Sequence, residues 1–273
     1  MNNHTPVELL RGFAQEAGCT VSNLNASNPF EPLWVDRGAC PRAPNQTEWS
    51  SNCPGGCVII LLFGPPGCGK GTQAEFISHR FGIPAISTGE VFRAECKAGT
   101  ELGKMACSIF SKGGLVGDEV VNPIIARRIS RPDCASGFLL DGYPRTLPQA
   151  QFLDRILHQD VTSIHLDVPF SVIVERITAR RQCPKCSHIY NLLFQPPKVK
   201  DVCDFDGARL TTREDDREEV IRQRLKAYEE MTGPVIAYYA KSNYYKIDGT
   251  ATAAKVSAQI ERVLEPSPAP ALR

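Results

Sequence analysis

The sequence predicts an α/β fold built on a doubly wound, parallel, five-stranded sheet. Three observations carry that prediction. From Val58 onward, short apolar runs of strand length alternate with helix-length segments. The first run, Val58–Phe63, passes directly into the glycine-rich stretch Gly64-Pro-Pro-Gly-Cys-Gly-Lys-Gly-Thr72. A later run, Phe138-Leu-Leu140, ends in the polar turn Asp141-Gly-Tyr-Pro-Arg-Thr146, so two chemically loaded turns follow two strands.

Strands are read at 58–63, 83–87, 138–141, 163–168 and 244–248. Helices are read at 70–81, 89–98, 101–112, 118–130, 147–158, 170–180, 217–231, 234–241 and 252–264. Pro169 suits the first turn of the helix it opens. Met231-Thr-Gly-Pro234 punctuates the long C-terminal helix, which restarts after it. Residues 1–56 hold six prolines and no sustained periodicity. They read as an extension with one short helix at most, or as an artefact of the assigned start at Met1, with Val58 as the alternative start. The tail 266–273, with Pro266, Pro268 and Pro270, reads as a disordered end.

At 273 residues the chain can bury a full α/β core and carry smaller insertions. Its net charge of +1 supplies no global field for nucleic acid or an anionic membrane. No apolar run reaches the roughly 20 residues of a membrane span. The acidic residues among 1–56 argue against an organellar transit peptide, and no apolar signal core is present. Eleven cysteines scattered through such a chain suggest free thiols and metal ligation rather than a disulfide framework, and a reducing cytosol. Cys53 and Cys57 are loosely ligand-like but lack partners. Cys96, Cys107 and Cys134 read as packing residues. Cys68 either fits its turn as a small residue or is a thiol activated by Lys70 and the helix N-terminus.

The stretch Gly64–Thr72 satisfies G-x-x-x-x-G-K through Gly64, Gly69 and Lys70. Successive backbone N–H groups and the helix's positive end can surround phosphates, and Lys70 adds a full charge. Gly71 stands where a hydroxyl usually ligates magnesium, and Thr72 supplies that hydroxyl one place later. This cradle alone leaves an ATPase, a GTPase switch and a kinase open. Asp141, at a strand's carboxyl end, lies within reach of the magnesium side. Arg145 offers a bidentate fork to a second anionic group, and Ser87-Thr-Gly-Glu-Val-Phe-Arg93 adds a further phosphate-reading set.

From about Val58 to Leu264 the chain resembles the adenylate kinases. The resemblance is carried by Gly64–Gln73, Ser87–Arg93, Leu115-Val116 with Asp118-Glu119, and Asp141–Thr146 with Gln149. Arg176, Arg180-Arg181, Arg213-Glu-Asp-Asp216, Arg224 and Asp248-Gly-Thr250 complete it. It implies transfer of the γ-phosphoryl of Mg-ATP to AMP, giving two ADP. It also implies a core with an inserted AMP-binding domain (about 87–116) and a lid (179–216) within 57–265, and a monomer.

Residue by residue, the resemblance puts Gly67, Cys68, Gly69, Lys70, Gly71 and Thr72 around the donor phosphates. Arg176 stacks on the donor adenine, and Arg180, Ile189, Tyr190 and Ala251 complete the ATP side. Thr88, Arg93, the strip Gly114-Leu115-Val116, and Gly142-Tyr143-Pro144-Arg145 are implied AMP contacts. Gln149 reads an adenine edge by paired donor and acceptor. Arg213 and Arg224 converge with Arg180 on the phosphates when the lid closes, and Asp141 orients water around magnesium. A loose phosphoryl-transfer transition state asks mainly for alignment and charge stabilisation, which this set supplies.

Within the implied lid, Cys183, Cys186, Cys203 and Asp206 follow C-x2-C-x16-C-x2-D, close to the spacing of structural zinc sites. Some bacterial adenylate kinases carry three cysteines and one aspartate there, so the resemblance supports a structural Zn2+. His188 is the alternative ligand, and idle thiols the plainer reading. A GTP-preferring AMP kinase is the nearest rival function. Uridylate–cytidylate kinases fit less well because their lids are usually short. A nucleic-acid-binding zinc ribbon on an ATP module would need a basic insert. Here Asp201, Asp204 and Asp206 offset Lys185, Lys198 and Lys200.

Overall fold

The structure, a computed structural model, describes residues 57–157 and 159–265. The readings of residues 1–56, Cys53 included, and of the tail 266–273 lie outside them. Strand β1 (Val58–Phe63) is followed by α1 (Lys70–Phe81), β2 (Ala85–Ser87), α2 (Thr88–Ala98), α3 (Glu101–Phe110) and α4 (Asp118–Ile129). Next come β3 (Gly137–Asp141), α5 (Leu147–Ile156), β4 (Thr162–Asp167) and α6 (Phe170–Thr178). A short hairpin, β5 (Arg180–Gln182) with β6 (Ile189–Asn191), precedes α7 (Glu218–Ala227), a π-helical turn (Tyr228–Thr232) and α8 (Gly233–Tyr239). β7 (Tyr244–Asp248) and α9 (Ala253–Leu264) are the last elements among the described residues.

The five long-range strands pair in the order β2-β3-β1-β4-β7, all in parallel. β1 lies at the centre and is apolar throughout, because helices cover both faces of the sheet. Its side chains alternate between two cores. Ile59, Leu61 and Phe63 join Phe138 and Leu140 on one face, while Ile60 and Leu62 join Leu139, Ile164, Ile173 and Ile177 on the other. Each such side chain contributes about 1.5–3 kcal/mol by leaving water. In this register Leu62 pairs with Asp141 and Ser87 with Asp141, which aligns the carboxyl ends of β1, β2 and β3 along one edge.

Three features depart from the sequence reading. The helix expected over 217–231 does not stop and restart. It widens into the π-turn and continues as α8 with Pro234 in its first turn. The missing N–H of Pro234 makes a wide turn less costly there, and Thr232 Oγ1 donates to the Arg145 carbonyl at 3.2 Å. Pro169 caps α6 from outside rather than forming its first turn. Cys96 and Cys107, expected to be packing thiols, form a disulfide between α2 and α3. The cause is the sharp helical hairpin. At Gly103 a Cβ would lie 2.1 Å from the Glu95 carbonyl oxygen, so the two backbones touch there.

Candidate active site

The phosphate cradle is built from backbone conformations that only glycine adopts readily. Gly67 and Gly69 have φ of +84° and +102°. A Cβ on Gly67 would also strike Ile177 Cγ1 at 2.4 Å, whereas at Gly69 the space is open. α1 begins at Lys70, so its unpaired N–H groups face the cleft. Lys70 Nζ folds back onto the loop, donating to the Gly64 and Pro65 carbonyls at 2.7 and 2.9 Å. Cys68 is buried, and burial pushes its thiol pKa up despite Lys70. Of its two readings, the geometry favours the small residue that fits the turn.

The cradle opens into a cleft of about 900 Å³. Besides Arg176 of α6, five arginines from five further segments line it: Arg93 of α2, Arg145 after β3, Arg180 of β5, Arg213, and Arg224 of α7. Their partners are few. Arg180 forms a bidentate pair with Asp216, with Nε to Oδ2 at 2.8 Å. Arg224 meets Asp215 at 2.9 Å and Asp216 at 3.7 Å. Among the described residues Arg213 donates only to Gln182 Oε1 at 2.7 Å, and Arg145 donates to the Gly142 carbonyl at 2.8 Å. Burial lowers the pKa of Arg145, and repulsion from Arg224 and Arg93 lowers it further. Burial, Arg180 and Arg93 do the same to Arg213. A cluster of cations held this way is relieved by an incoming polyanion. Asp141 Oδ1 is buried with no hydrogen-bond partner among the described residues. An orphaned carboxylate oxygen beside the cradle fits the hydration shell of a divalent cation.

A second, smaller cavity adjoins the cleft, lined by Thr88, Phe92, Phe110, Leu115, Val116, Arg145 and Gln149. Thr88 Oγ1 donates to the Gly142 carbonyl at 3.0 Å. Gln149 accepts from Arg145 N–H through Oε1 and donates through Nε2 to Asp118 Oδ1, both at 2.7 Å. One acceptor position and one N–H of its amide remain for a base edge. Gly114, Gly142 and Pro144 line the main cleft. Tyr143 lines neither cavity. Its side chain is buried in the core with its hydroxyl on Asn122 Oδ1 at 2.7 Å, so its side chain is a support for the turn. The sequence reading did not foresee this because an aromatic after a glycine turn looks the same whichever way it points.

On the donor side, Arg176 reaches the Cys68 and Thr250 carbonyls at 3.2 and 3.3 Å. Its guanidinium carbon lies 5.7 Å from the ring centroid of Phe194. Gly71, Thr72, Ile189, Tyr190 and Ala251 also line the cleft. Phe194 was missed by sequence reasoning. It is 62% exposed and held at the cleft by Asn191, whose Oδ1 accepts from the Leu193 and Phe194 N–H groups at 2.9 and 3.2 Å. The Asn191–Phe194 turn was the available signal.

Cys183, Cys186, Cys203 and Asp206 come together between two tight turns, with one ligand atom from each lying within 4.8 Å of every other. Cys186 Sγ and Cys203 Sγ are 3.6 Å apart, near the roughly 3.8 Å edge of a tetrahedron with bonds of about 2.3 Å. Lys185 and Cys186 N–H groups both point to Cys183 Sγ at 3.4 Å, as amides around a thiolate do. The residues therefore fit zinc. His188 instead packs edge-on against Tyr190 and Phe205.

The sequence pattern of the adenylate kinase family matches residues 62–244. Two adenylate kinases of Thermotoga neapolitana are each 47% identical over 213 residues, covering 76% of this chain and 97% of the relative. Together with the parallel sheet and the cradle at its edge, these matches show that the chain belongs to the adenylate kinase family, enzymes that pass a phosphoryl group from ATP to AMP and yield two ADP.

Proposed function

We propose that the large cleft binds Mg-ATP against the cradle and that the smaller cavity takes the base of AMP. In this reading the insert over 87–116 is the AMP-binding domain and 179–216 a closing lid. The observation that carries it is the convergence of Arg93, Arg145, Arg180, Arg213 and Arg224 with Lys70 on one cleft beside the cradle. The loop N–H groups and Lys70 hold the donor phosphates. Arg93 and Arg145 hold the acceptor phosphate in line with them, and Arg180, Arg213 and Arg224 face the oxygens where charge spreads in the transition state. Magnesium, when bound, supplies charge neutralisation between the donor phosphates, and Asp141 is the residue that would orient its water shell. Arg176 and Phe194 flank the donor adenine. Lys97 donates to the Pro184 carbonyl at 3.0 Å, a contact between the two inserts that suits a closed form excluding water.

The knot of Cys183, Cys186, Cys203 and Asp206 holds one structural Zn2+ in this reading, and the enzyme is a cytoplasmic monomer acting on free nucleotides. No helix among the described residues is long and apolar enough to cross a membrane. A preference for ATP over GTP as donor belongs to the same proposal.

Comparing AMP, CMP, UMP and GMP as acceptors with Mg-ATP, then GTP as donor to AMP, tests the assignment. AMP is expected to exceed the others by at least about tenfold in kcat/KM, the scale of a lost paired hydrogen bond at Gln149. Equal turnover of CMP would overturn the base-pocket assignment.

A further inference from the structure

We propose that Cys96 and Cys107 form a reversible thiol–disulfide site that sets the affinity of the acceptor cavity. The inference rests on the reading of the smaller cavity as the AMP pocket. Among the described residues the two cysteines stand apart from the chain's other thiols. Cys68 and Cys134 are buried, Cys57 is half-buried and belongs to neither the bridge nor the cysteine cluster, and Cys183, Cys186 and Cys203 are gathered with Asp206. Cys107 is exposed and Cys96 half-buried, so a small thiol or disulfide reagent can reach the pair. Their Cα atoms are 5.9 Å apart, inside the range a disulfide spans. Backbone contact at Gly103, together with Thr100 Oγ1 donating to Glu95 Oε2 at 2.7 Å, holds the hairpin in bridging position without help from the sulfurs.

The bridge joins the two helices that wall the acceptor cavity. α2 carries Thr88, Phe92 and Arg93, and α3 carries Phe110 and leads to Leu115 and Val116. Phe92 and Phe110 meet edge-to-face at 6.0 Å across that wall. Lys97, the neighbour of Cys96, reaches across to Pro184 of the cysteine knot. A covalent tie between α2 and α3 therefore narrows the freedom of the groups that must be ordered when AMP binds, and ordering already done lowers the cost of binding.

The chemistry is ordinary exchange with a low-molecular-weight disulfide, RSSR, of the glutathione class. The exposed Cys107 thiolate attacks one sulfur and expels RS⁻, leaving a mixed disulfide. The Cys96 thiolate then attacks the Cys107 sulfur and expels the second RS⁻. Two thiols are oxidised to one disulfide, RSSR is reduced to two RSH, and the two protons pass to the departing thiolates. Excess dithiol reverses the sequence.

The test uses the full chain, equilibrated with oxidised glutathione or with dithiothreitol. Peptide mass mapping reports the Cys96–Cys107 linkage as a loss of about 2 Da, and AMP kinetics are measured in both states. The oxidised enzyme is expected to have an AMP KM about threefold lower, with the ATP KM unchanged. The Cys96→Ser/Cys107→Ser protein is expected to show no redox response in AMP KM, as is the single Cys107→Ser variant. Failure of the linkage to form, an AMP KM that is unchanged or raised on oxidation, or a shift that persists in both variants would overturn the proposal. A linkage that forms without moving the AMP KM, in an enzyme that still prefers AMP, would leave the pocket assignment standing and remove only the redox control.

Discussion

Around β1 every residue from Ile59 to Phe63 is buried, and two apolar cores lie against its opposite faces. In the knot beyond α6 the buried apolar cluster is Cys183, Tyr190, Cys203 and Leu210, and two of those four are cysteines. The knot exposes Leu193, Phe194, Val199 and Phe205. The core is held by area removed from water. The knot lacks that area, and polar bonds stand in for it: Tyr190 Oη contacts Cys203 Sγ at 3.5 Å and accepts from Asp204 N–H at 2.8 Å, and Asp206 Oδ1 accepts from Ala208 N–H at 2.9 Å. The lesson is that a small insert whose residues line the cleft can be stabilised by means separate from the apolar burial that holds the sheet.

The largest expected effect concerns the sheet edge. On the proposed reading Lys70 holds the donor phosphates and Arg145 the acceptor phosphate in line with them, so Arg145→Ala and Lys70→Met should each lower kcat by about 10²–10³ while thermal unfolding stays close to wild type. Steady-state kinetics with a melting curve checks this, and retention of a third of the activity would break the clamp assignment for that residue. A paired substitution then sets core against knot. Leu140→Ala should cost about 2–5 kcal/mol of global stability through a cavity in the fully buried core. Cys203→Ser, or chelation of the wild type, should instead remove one zinc per chain and lower a separate, local transition. Its kcat at low temperature should stay within a few-fold of wild type, since none of Cys183, Cys186, Cys203 and Asp206 lines the cleft. Calorimetry, metal analysis and kinetics on the same samples decide it. A zinc-free wild type of equal heat stability would remove the structural role.

The smallest effect is a pH signature at Asp215, among the arginines that line the cleft. Burial alone would raise the Asp215 carboxyl pKa, but Arg224, Arg180, Arg213 and Arg93 together hold it below the usual value of 3.8. A depressed carboxyl pKa contributes stability that is fully present above the unfolded value and is lost as pH falls through the folded value. Asp215→Asn should therefore be less stable than wild type at pH 7, with the difference shrinking below about pH 4. A pH series of denaturant midpoints measures it, and a difference that stays constant down to pH 3 would show that Asp215 acts by packing rather than by charge.

Much of the molecule was legible from residue order, and for local reasons. Strand-length segments alternating with helix-length ones marked all five strands of the large sheet, and the cradle was readable because its strand, glycines and lysine are contiguous. The spacing of Cys183, Cys186, Cys203 and Asp206 was readable because each pair sits on one tight turn. The strands β5 and β6 were not, because Arg180-Arg181-Gln182 carries no apolar residue and Ile189-Tyr190-Asn191 lies in no longer apolar run. Residue order alone also left undecided that Tyr143 turns inward to Asn122 while Arg145, two places later, turns into the cleft. It did not reveal that Asp215 and Asp216 neutralise part of the arginine cluster, or that Cys96 meets Cys107. Those outcomes depend on which segments become neighbours when the sheet orders β3 beside β1, and on the direction each side chain takes once its backbone is fixed. Charge pairing and sulfur bridging act over a few ångströms in space, a distance that sequence separation does not encode.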